Sequence, residues 1–180
     1  LPSRDWKRGA RGEPWYPGET LITGIGQGFL TSTPLQLAAA TAALATRGER
    51  PRPRTVRTLG APGGDELRPL QAEPLAQVRV ETASHWDVVL EAMVDVVHGL
   101  RGTARRIGAD SGYRIAGKTG TAQVFGLPQD EAERLDPEEI ELKLRDHAMF
   151  VAFAPADDPA IAVAVVVEHG GSGGEVAAPI

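Results

Sequence analysis

Apolar residues recur at helical spacing in two stretches of the chain. Thr33 suits an N-cap and Pro34 the first helical position, so the leucines and alanines that follow predict a helix ending near Gly48. A second helix is predicted over residues 85–98, because the apolar positions there fall on one helical face. Those positions are Trp86, Val89, Leu90, Met93, Val94 and Val97.

Strand-like patterns dominate the second half of the chain. Residues 114–124 predict one strand, and residues 148–154 and 160–167 are apolar runs joined by a short Pro/Asp turn, which predicts a hairpin. The run at 160–167 is apolar at nearly every position, which predicts burial on both faces. A shorter strand is predicted near residues 55–59. We therefore expect an α+β fold, a mostly antiparallel sheet flanked by helices.

The remaining segments are less regular. Residues 1–20 are polar and rich in Arg, Gly and Pro, so we predict a segment without regular secondary structure, followed by a short strand at 21–23. A loop at 126–136 should lead to a short helix with Asp136 as its cap, and residues 175–180 should begin another helix. No repeat or linker divides the chain, so we expect residues 1–180 to form part of one domain.

Composition excludes several classes of protein. With 42% hydrophobic and 24% charged residues, the chain is globular. A net charge of -5 argues against a general nucleic-acid binder, which would carry a basic face. The absence of Cys excludes disulfides and zinc–thiolate sites, and the longest apolar run, at 160–167, is too short to span a bilayer. We expect neither a metal nor another cofactor.

Three glycine-rich motifs suggest chemistry that their surroundings do not favour. Residues 112–119 fit the phosphate-loop pattern G-x-x-x-x-G-K-[ST], but no buried strand precedes them and no helical sequence follows. Ser172 fits G-x-S-x-G, but only six residues follow the motif and none is His. Residues 24–28 lack the third Gly of a dinucleotide fingerprint and are better explained as a turn before a helix.

A fourth motif combines a cation, two hydroxyls and a glycine within the predicted strand at 114–124. Lys118 can attract a carboxylate, Thr119 and Thr121 can donate hydrogen bonds to it, and Gly120 lets a ligand backbone approach the strand. Exposed backbone N–H groups there could polarise a carbonyl. The alternative is a solvent-facing strand made of ordinary β-forming residues.

This motif and its surroundings resemble the class B penicillin-binding proteins, and more narrowly their elongation transpeptidases. Residues 116–123, A-G-K-T-G-T-A-Q, resemble the K-T-G strand of that family. Residues 24–36 resemble the stretch before a core helix, and Gly102-Thr103-Ala104 resembles a later loop. Residues 145–148 and the loop at 170–174 fit the same group. The resemblance covers the whole chain and implies a partial transpeptidase fold of the penicillin-binding and serine β-lactamase type.

The resemblance implies a reaction and roles for four residues. In the family, a serine attacks the D-Ala-D-Ala end of a peptidoglycan stem peptide, and an amine of a neighbouring stem peptide resolves the acyl-enzyme. By this likeness Lys118 supplies positive potential, and the Thr119 and Thr121 hydroxyls hold the substrate carboxylate. The Thr121 amide forms half of the oxyanion hole, and Gly120 keeps the strand edge clear.

The family's nucleophile is not found in this sequence. None of Ser3, Ser32, Ser84, Ser111 and Ser172 is followed by Lys three residues later, as S-x-x-K requires. We expect that motif and the S-x-[ND] motif to lie upstream of Leu1, which would make this chain the C-terminal portion of the domain, inactive alone. Two alternatives stay open: a nucleotide-binding module at residues 112–119, and a non-catalytic scaffold.

The resemblance also implies partners and a location. Stem peptides and β-lactams would bind the site, and a lipid-linked-precursor polymerase of the SEDS class would be the protein partner. The parent protein would act on the periplasmic side of the bacterial inner membrane, anchored by an N-terminal helix outside this sequence.

Overall fold

The structure, a computed structural model, describes residues 2–60, 66–71, 73–124 and 141–180. The helices are α1 (Arg4–Arg11), α2 (Pro17–Gly24), α3 (Pro34–Ala45), α4 (Ser84–His98) and the short α5 (Arg105–Gly108). The strands are β1 (Thr58–Gly60), β2 (Leu67–Pro69), β3 (Ala116–Ala122), β4 (His147–Ala154) and β5 (Ile161–Val167). A 3-10 turn spans Leu142–Leu144, and a π-helical turn spans Gly173–Ala177.

The main sheet is antiparallel, with strand order β3-β4-β5. β4 and β5 form the predicted hairpin, and β1 and β2 pair separately as a two-stranded ribbon. Helix α3 packs against β4 and β5, and α4 packs against β3. The predicted α+β class, with a mostly antiparallel sheet flanked by helices, is confirmed.

The core lies on both faces of β4. Phe150 and Phe153 are three positions apart on one strand, so their side chains point to opposite faces of the sheet. Phe150 belongs to a cluster that contains Val97 of α4 and Ala177 of the π-helical turn. Phe153 belongs to a second cluster with Ala45 of α3 and with residues of α4. The sheet is therefore held between helical elements on both sides.

The prediction that β5 is buried on both faces is wrong. Ile161 is 61% exposed, and Val163 and Val166 are more than a third exposed. Within the described residues β5 is an outer strand of the sheet, so it has a neighbour only on the β4 side. An apolar run indicates high β-propensity, but it does not show whether other elements cover one face of the strand or both.

Helix α3 begins as the sequence predicts. The Thr33 hydroxyl accepts the Gln36 N–H at 3.2 Å, while the Gln36 side chain accepts the Thr33 N–H at 2.8 Å. This reciprocal capping box satisfies two N–H groups that the first turn leaves unpaired. At the other end Gly48, with φ of 104°, donates its N–H to the Ala43 carbonyl oxygen. Both signals are local, which is why the sequence contains them.

The prediction for the N-terminal segment is wrong. Residues 4–11 and 17–24 are helices, and the expected strand at 21–23 lies inside α2. Pro17 occupies the first turn of α2, and Glu19 accepts the backbone N–H of Tyr16 at 2.8 Å. The Lys7 ammonium of α1 also contacts Glu19, at 2.5 Å. This contact between helices stabilises α2 and is invisible to a pattern of neighbouring residues.

Two predicted features lie outside the described residues: the loop at 126–136 and the helix capped by Asp136. Among the helices that are described, none is long and apolar enough to cross a membrane.

Candidate active site

All four residues of the predicted site lie on β3, at an edge of the sheet. Lys118, Thr119, Gly120 and Thr121 are paired with β4 on one side. No strand of the described ranges pairs with β3 on the other side. An unpaired edge leaves alternate backbone N–H and C=O groups free to bind another extended chain.

Two side-chain contacts identify which backbone groups face that edge. The Thr119 carbonyl oxygen accepts a hydrogen bond from Lys118 Nζ at 2.7 Å, and the Thr121 carbonyl oxygen accepts one from Gln27 Nε2 at 3.2 Å. In a strand the N–H and C=O of one residue point the same way, and the direction alternates along the chain. The N–H groups of Thr119 and Thr121 therefore also face the open edge, whereas those of Lys118 and Gly120 face β4.

The two hydroxyls lie on one face of β3, beside a pocket of about 410 Å³. The Thr119 hydroxyl oxygen is 2.8 Å from that of Thr103, in the loop between α4 and α5. The pocket is lined by Thr103, Thr119, Gly120, Thr121, Ser172, Gly173, Gly174 and Glu175. It offers several hydroxyls and backbone N–H groups, which suit a carboxylate or a carbonyl oxygen.

Lys118 begins on the opposite face of β3 and reaches the edge. Its side chain is exposed and borders a second pocket, of about 590 Å³, formed with the C-terminal end of α4 and the loop after it. Its ammonium group contacts the Thr119 carbonyl oxygen. The cation therefore lies at the open edge, although alternation separates its Cβ from the two hydroxyls.

The loop after β5 supports the hydroxyl side of the site. A Cβ on Gly173 would overlap the carbonyl oxygens of Gly120 and Met149, so only glycine lets this loop lie directly on β3 and β4. Gly174 is similarly close to the Thr103 carbonyl oxygen. Ser172 therefore lines the pocket as part of a tight turn, and His169 of the same loop places Nδ1 3.2 Å from the Arg145 carbonyl oxygen.

Two residues at the site were not predicted. Gln27 and Thr103 contact β3 from positions 94 and 16 residues away in sequence. Both belong to segments that carried the family resemblance, but the residues themselves gave no signal of a contact with β3. Distance in sequence hides such pairs, because no periodicity connects them.

The segment that carries Gln27 is fixed by an ion-pair network. Lys7 is 1% exposed, contacts Glu19 and Glu13, and lies over the Tyr16 ring at 4.3 Å. Burial lowers the pKa of Lys7, but hydrogen bonds and charges from Glu19 and Glu13 outweigh it and raise the pKa above the ordinary value. The hydrogen bond from Lys7 lowers the pKa of Glu19, against an opposing effect of burial. The network thus favours the charged form of both groups.

One expectation about missing motifs needs correction. Ser3-Arg4-Asp5 fits S-x-[ND] letter for letter. The structure gives this triplet another role, because the Ser3 hydroxyl caps α1 by accepting the Trp6 N–H at 3.1 Å, and the Asp5 side chain is 96% exposed. In the described part of the chain α1 packs against no strand. The triplet therefore does not contribute to the site on β3.

The phosphate-loop motif does not form a phosphate loop. Gly117, Lys118 and Thr119 lie inside the straight strand β3, with no helix beginning at Lys118. The backbone N–H groups therefore alternate between two edges instead of converging on a phosphate. The described ranges also contain no group of three or more His, Asp or Glu side chains that could hold a metal ion.

An extended strand with a lysine, two hydroxyls and outward amides at a sheet edge is what the resemblance to penicillin-binding transpeptidases predicts. The chain belongs to this family, because residues 5–180 match the penicillin binding protein transpeptidase domain. Among curated relatives it is 38% identical to peptidoglycan D,D-transpeptidase MrdA of Haemophilus influenzae, over 100% of this chain and 27% of that protein. The corresponding protein of Acinetobacter baumannii is 40% identical, over 99% of this chain and 26% of the relative.

Solved structures of penicillin-binding proteins are also similar to this chain. The crystal structure of Pseudomonas aeruginosa PBP2 is 49% identical, with a TM-score of 0.81, covering 99% of this chain and 35% of that one. Helicobacter pylori PBP2, solved in complex with MreC, is 30% identical, with a TM-score of 0.70, over 94% of this chain and 27% of that one. The predicted relationship to penicillin-binding protein 2 is confirmed. The chain spans about a quarter to a third of the length of these relatives.

Proposed function

We propose that the open edge of β3 binds the D-Ala-D-Ala end of a peptidoglycan stem peptide in a serine-type D,D-transpeptidase. The observation that carries this proposal is the outward direction of the Thr119 and Thr121 backbone groups beside two hydroxyls and the Lys118 ammonium. A peptide that extends along this edge can pair with the backbone while its terminal carboxylate meets the hydroxyls and the cation.

The Thr121 N–H is suited to stabilise negative charge on the reacting carbonyl. When a serine hydroxyl oxygen attacks the penultimate D-Ala carbonyl carbon, the C=O electrons move to the oxygen, and the Thr121 amide donates to it. One such preorganised donor contributes about 3–4 kcal/mol to the transition state in enzymes of this kind. The C–N bond then breaks, and the terminal D-Ala leaves with the proton on its amine. An amine of a second stem peptide attacks the acyl ester, which forms the cross-link and releases the serine.

The nucleophile and its base come from outside this sequence. No serine here has a lysine three residues later, and Ser172, the serine in the pocket, lies in a turn with no general base in hydrogen-bond contact among the described residues. Residues 1–180 therefore act as the C-terminal portion of the domain, supplying the strand that orients the substrate. We expect no covalent adduct when this chain alone meets a labelled penicillin, and a stoichiometric adduct by mass spectrometry would contradict that expectation.

The test of this function uses the longer protein that carries the chain. Lys118→Ala should slow acylation by a labelled penicillin by at least about tenfold, because the cation at the edge is lost. Lys143→Ala is the matched control, since Lys143 is 70% exposed and pairs with Glu141 away from β3. Equal acylation rates for the two variants would remove Lys118 from the site.

The partners and location follow from the same function. β-Lactams would acylate the serine that this strand serves, and a relative from Mycobacterium tuberculosis is described as an imipenem acyl-enzyme complex. The protein partners would be a SEDS-class polymerase and, by likeness to the Helicobacter pylori complex, a protein such as MreC. The site would act on the periplasmic side of the inner membrane, with the anchoring helix outside this sequence.

A further inference from the structure

The loop at 24–28 has a backbone that fixes the direction of Gln27. Gly26 and Gly28, on either side of it, have φ angles of 79° and 72°, in the left-handed region that favours glycine. The Gln27 N–H donates to the Ile22 carbonyl oxygen at 3.0 Å. A Cβ on Gly28 would lie 2.9 Å from Ile22 Cγ2, so the loop is closely packed against the end of α2.

Both ends of this loop are attached to larger elements. Before it, α2 is joined to α1 by the Lys7–Glu19 ion pair. After it, the Phe29 ring lies 5.4 Å from that of Trp6, and its centroid is 5.7 Å from the Lys7 ammonium. The half-buried Gln27 side chain leaves this supported loop and donates Nε2 to the Thr121 carbonyl oxygen at 3.2 Å.

The chemistry of that contact matches the chemistry of an added strand. A carboxamide N–H is the same kind of donor as a peptide N–H, and the Thr121 carbonyl is an acceptor that an extended peptide on the open edge requires. We propose that Gln27 occupies the position of a substrate N–H, so that a stem peptide must displace its carboxamide to bind along β3. The inference rests on the function proposed above and adds a specificity-determining residue to it: only a ligand that offers an N–H at this position replaces the bond it breaks.

The test is a titration of the isotope-labelled chain with acetylated Lys-D-Ala-D-Ala, followed by NMR. Because displacement costs about one net hydrogen bond, Gln27→Ala should bind the peptide about 2- to 12-fold more tightly than the natural sequence. Gln27→Met, which keeps the length of the side chain without the donor, should change affinity in the same direction. Gln77→Ala, at an exposed glutamine far from β3 in sequence, should leave affinity unchanged. The side-chain amide resonances of Gln27 should shift as the peptide saturates the natural chain.

Each other outcome decides the matter. If the natural chain binds the peptide and the β3 amides shift, but the Gln27 variants bind equally or more weakly, the displacement proposal is wrong and the proposed function survives. If a Gln27 variant binds and the natural chain does not, both proposals are supported. If no variant binds, or if binding leaves the β3 amides unshifted, both are overturned. Melting curves of the two Gln27 variants establish that they remain folded.

Discussion

Gly117 and Gly120 lie three residues apart on the same strand, and the protein uses their missing side chains in opposite ways. A Cβ on Gly117 would lie 2.6 Å from Phe150 Cζ, inside the core. A Cβ on Gly120 would meet only Met149 Cβ, at the ordinary distance of 3.4 Å. The first glycine is required by the fold, whereas the fold would accept alanine at the second. The proposed function would explain glycine at position 120, since a ligand would approach the strand there.

The same division runs through the whole of β3. Its first two residues, Ala116 and Gly117, are buried between helices and sheet. From Lys118 onward the strand is exposed or half-exposed, and its outer edge carries functional groups. One strand thus has its beginning anchored in the core, and under the proposed function its exposed end would bind the substrate on a rigid element.

The largest expected effect is on stability at the buried end of β3. Gly117→Ala should lower the free energy of unfolding by about 1–3 kcal/mol, because the new methyl group must displace Phe150 in a packed core. Gly120→Ala is its matched control and should stay within about 1 kcal/mol of the natural chain in either direction. Urea unfolding of both variants measures the difference, and equal losses would mean that the two halves of β3 do not differ as described.

For peptide affinity, in contrast to stability, the substitution at Gly120 should have the large effect. Gly120→Ala should weaken binding of acetylated Lys-D-Ala-D-Ala on the order of tenfold, because the methyl group obstructs the approach of the ligand backbone to the strand. A titration followed by NMR or calorimetry gives the value. Unchanged affinity in a folded Gly120→Ala chain would show that the ligand does not come close to this residue.

A smaller effect is expected at the hydroxyl that orients Thr119. Thr103→Val keeps the shape of the side chain but removes the hydroxyl 2.8 Å from that of Thr119, so peptide affinity should fall about 2- to 12-fold. Thr103→Ser retains the hydroxyl and should bind nearly as the natural chain does. If valine and serine have the same effect, the contact has no part in binding.

The smallest expected effect is a pH dependence of stability, and it concerns the loop that carries Gln27 and not β3 itself. The pKa of Glu19 is lowered on folding, so the stability it contributes is present above its ordinary value of 4.5 and is lost as pH falls through the lowered pKa. The pKa of Lys7 is raised, so its contribution is present below 10.5 and is lost as pH rises through the raised pKa. Glu19→Gln should therefore reduce the loss of unfolding free energy at acid pH.

NMR over the acid range checks this prediction. The side-chain amide of Gln27 should lose its contact with Thr121 as Glu19 is protonated, while the Gly117 amide keeps its environment. If Glu19→Gln loses as much stability at acid pH as the natural chain does, the pH dependence comes from other carboxylates.

Features of the fold that depend on neighbouring residues were predictable from the sequence. The Thr33 N-cap of α3 and the turn between β4 and β5 are such features, and both were expected. Helix α2 was missed because its stability involves Lys7, ten residues before its first residue. The exposure of β5 was missed because apolar composition does not show how many faces of a strand are covered by other elements. The four residues on β3 were found through their motif, which is contiguous in sequence. Gln27 and Thr103 were not, because only the folded chain brings them to β3.

Residue-resolved hydrogen exchange of the backbone amides of β3, with and without the acetylated D-Ala-D-Ala peptide, tests the central claim most directly. Without peptide, the Thr119 and Thr121 amides should exchange much faster than the Gly120 amide, which faces β4. Saturating peptide should slow Thr119 and Thr121 and leave Gly120 unchanged. A Thr121 amide that is protected without ligand, or that exchanges equally fast at saturation, would contradict the account of β3 as a substrate-binding edge.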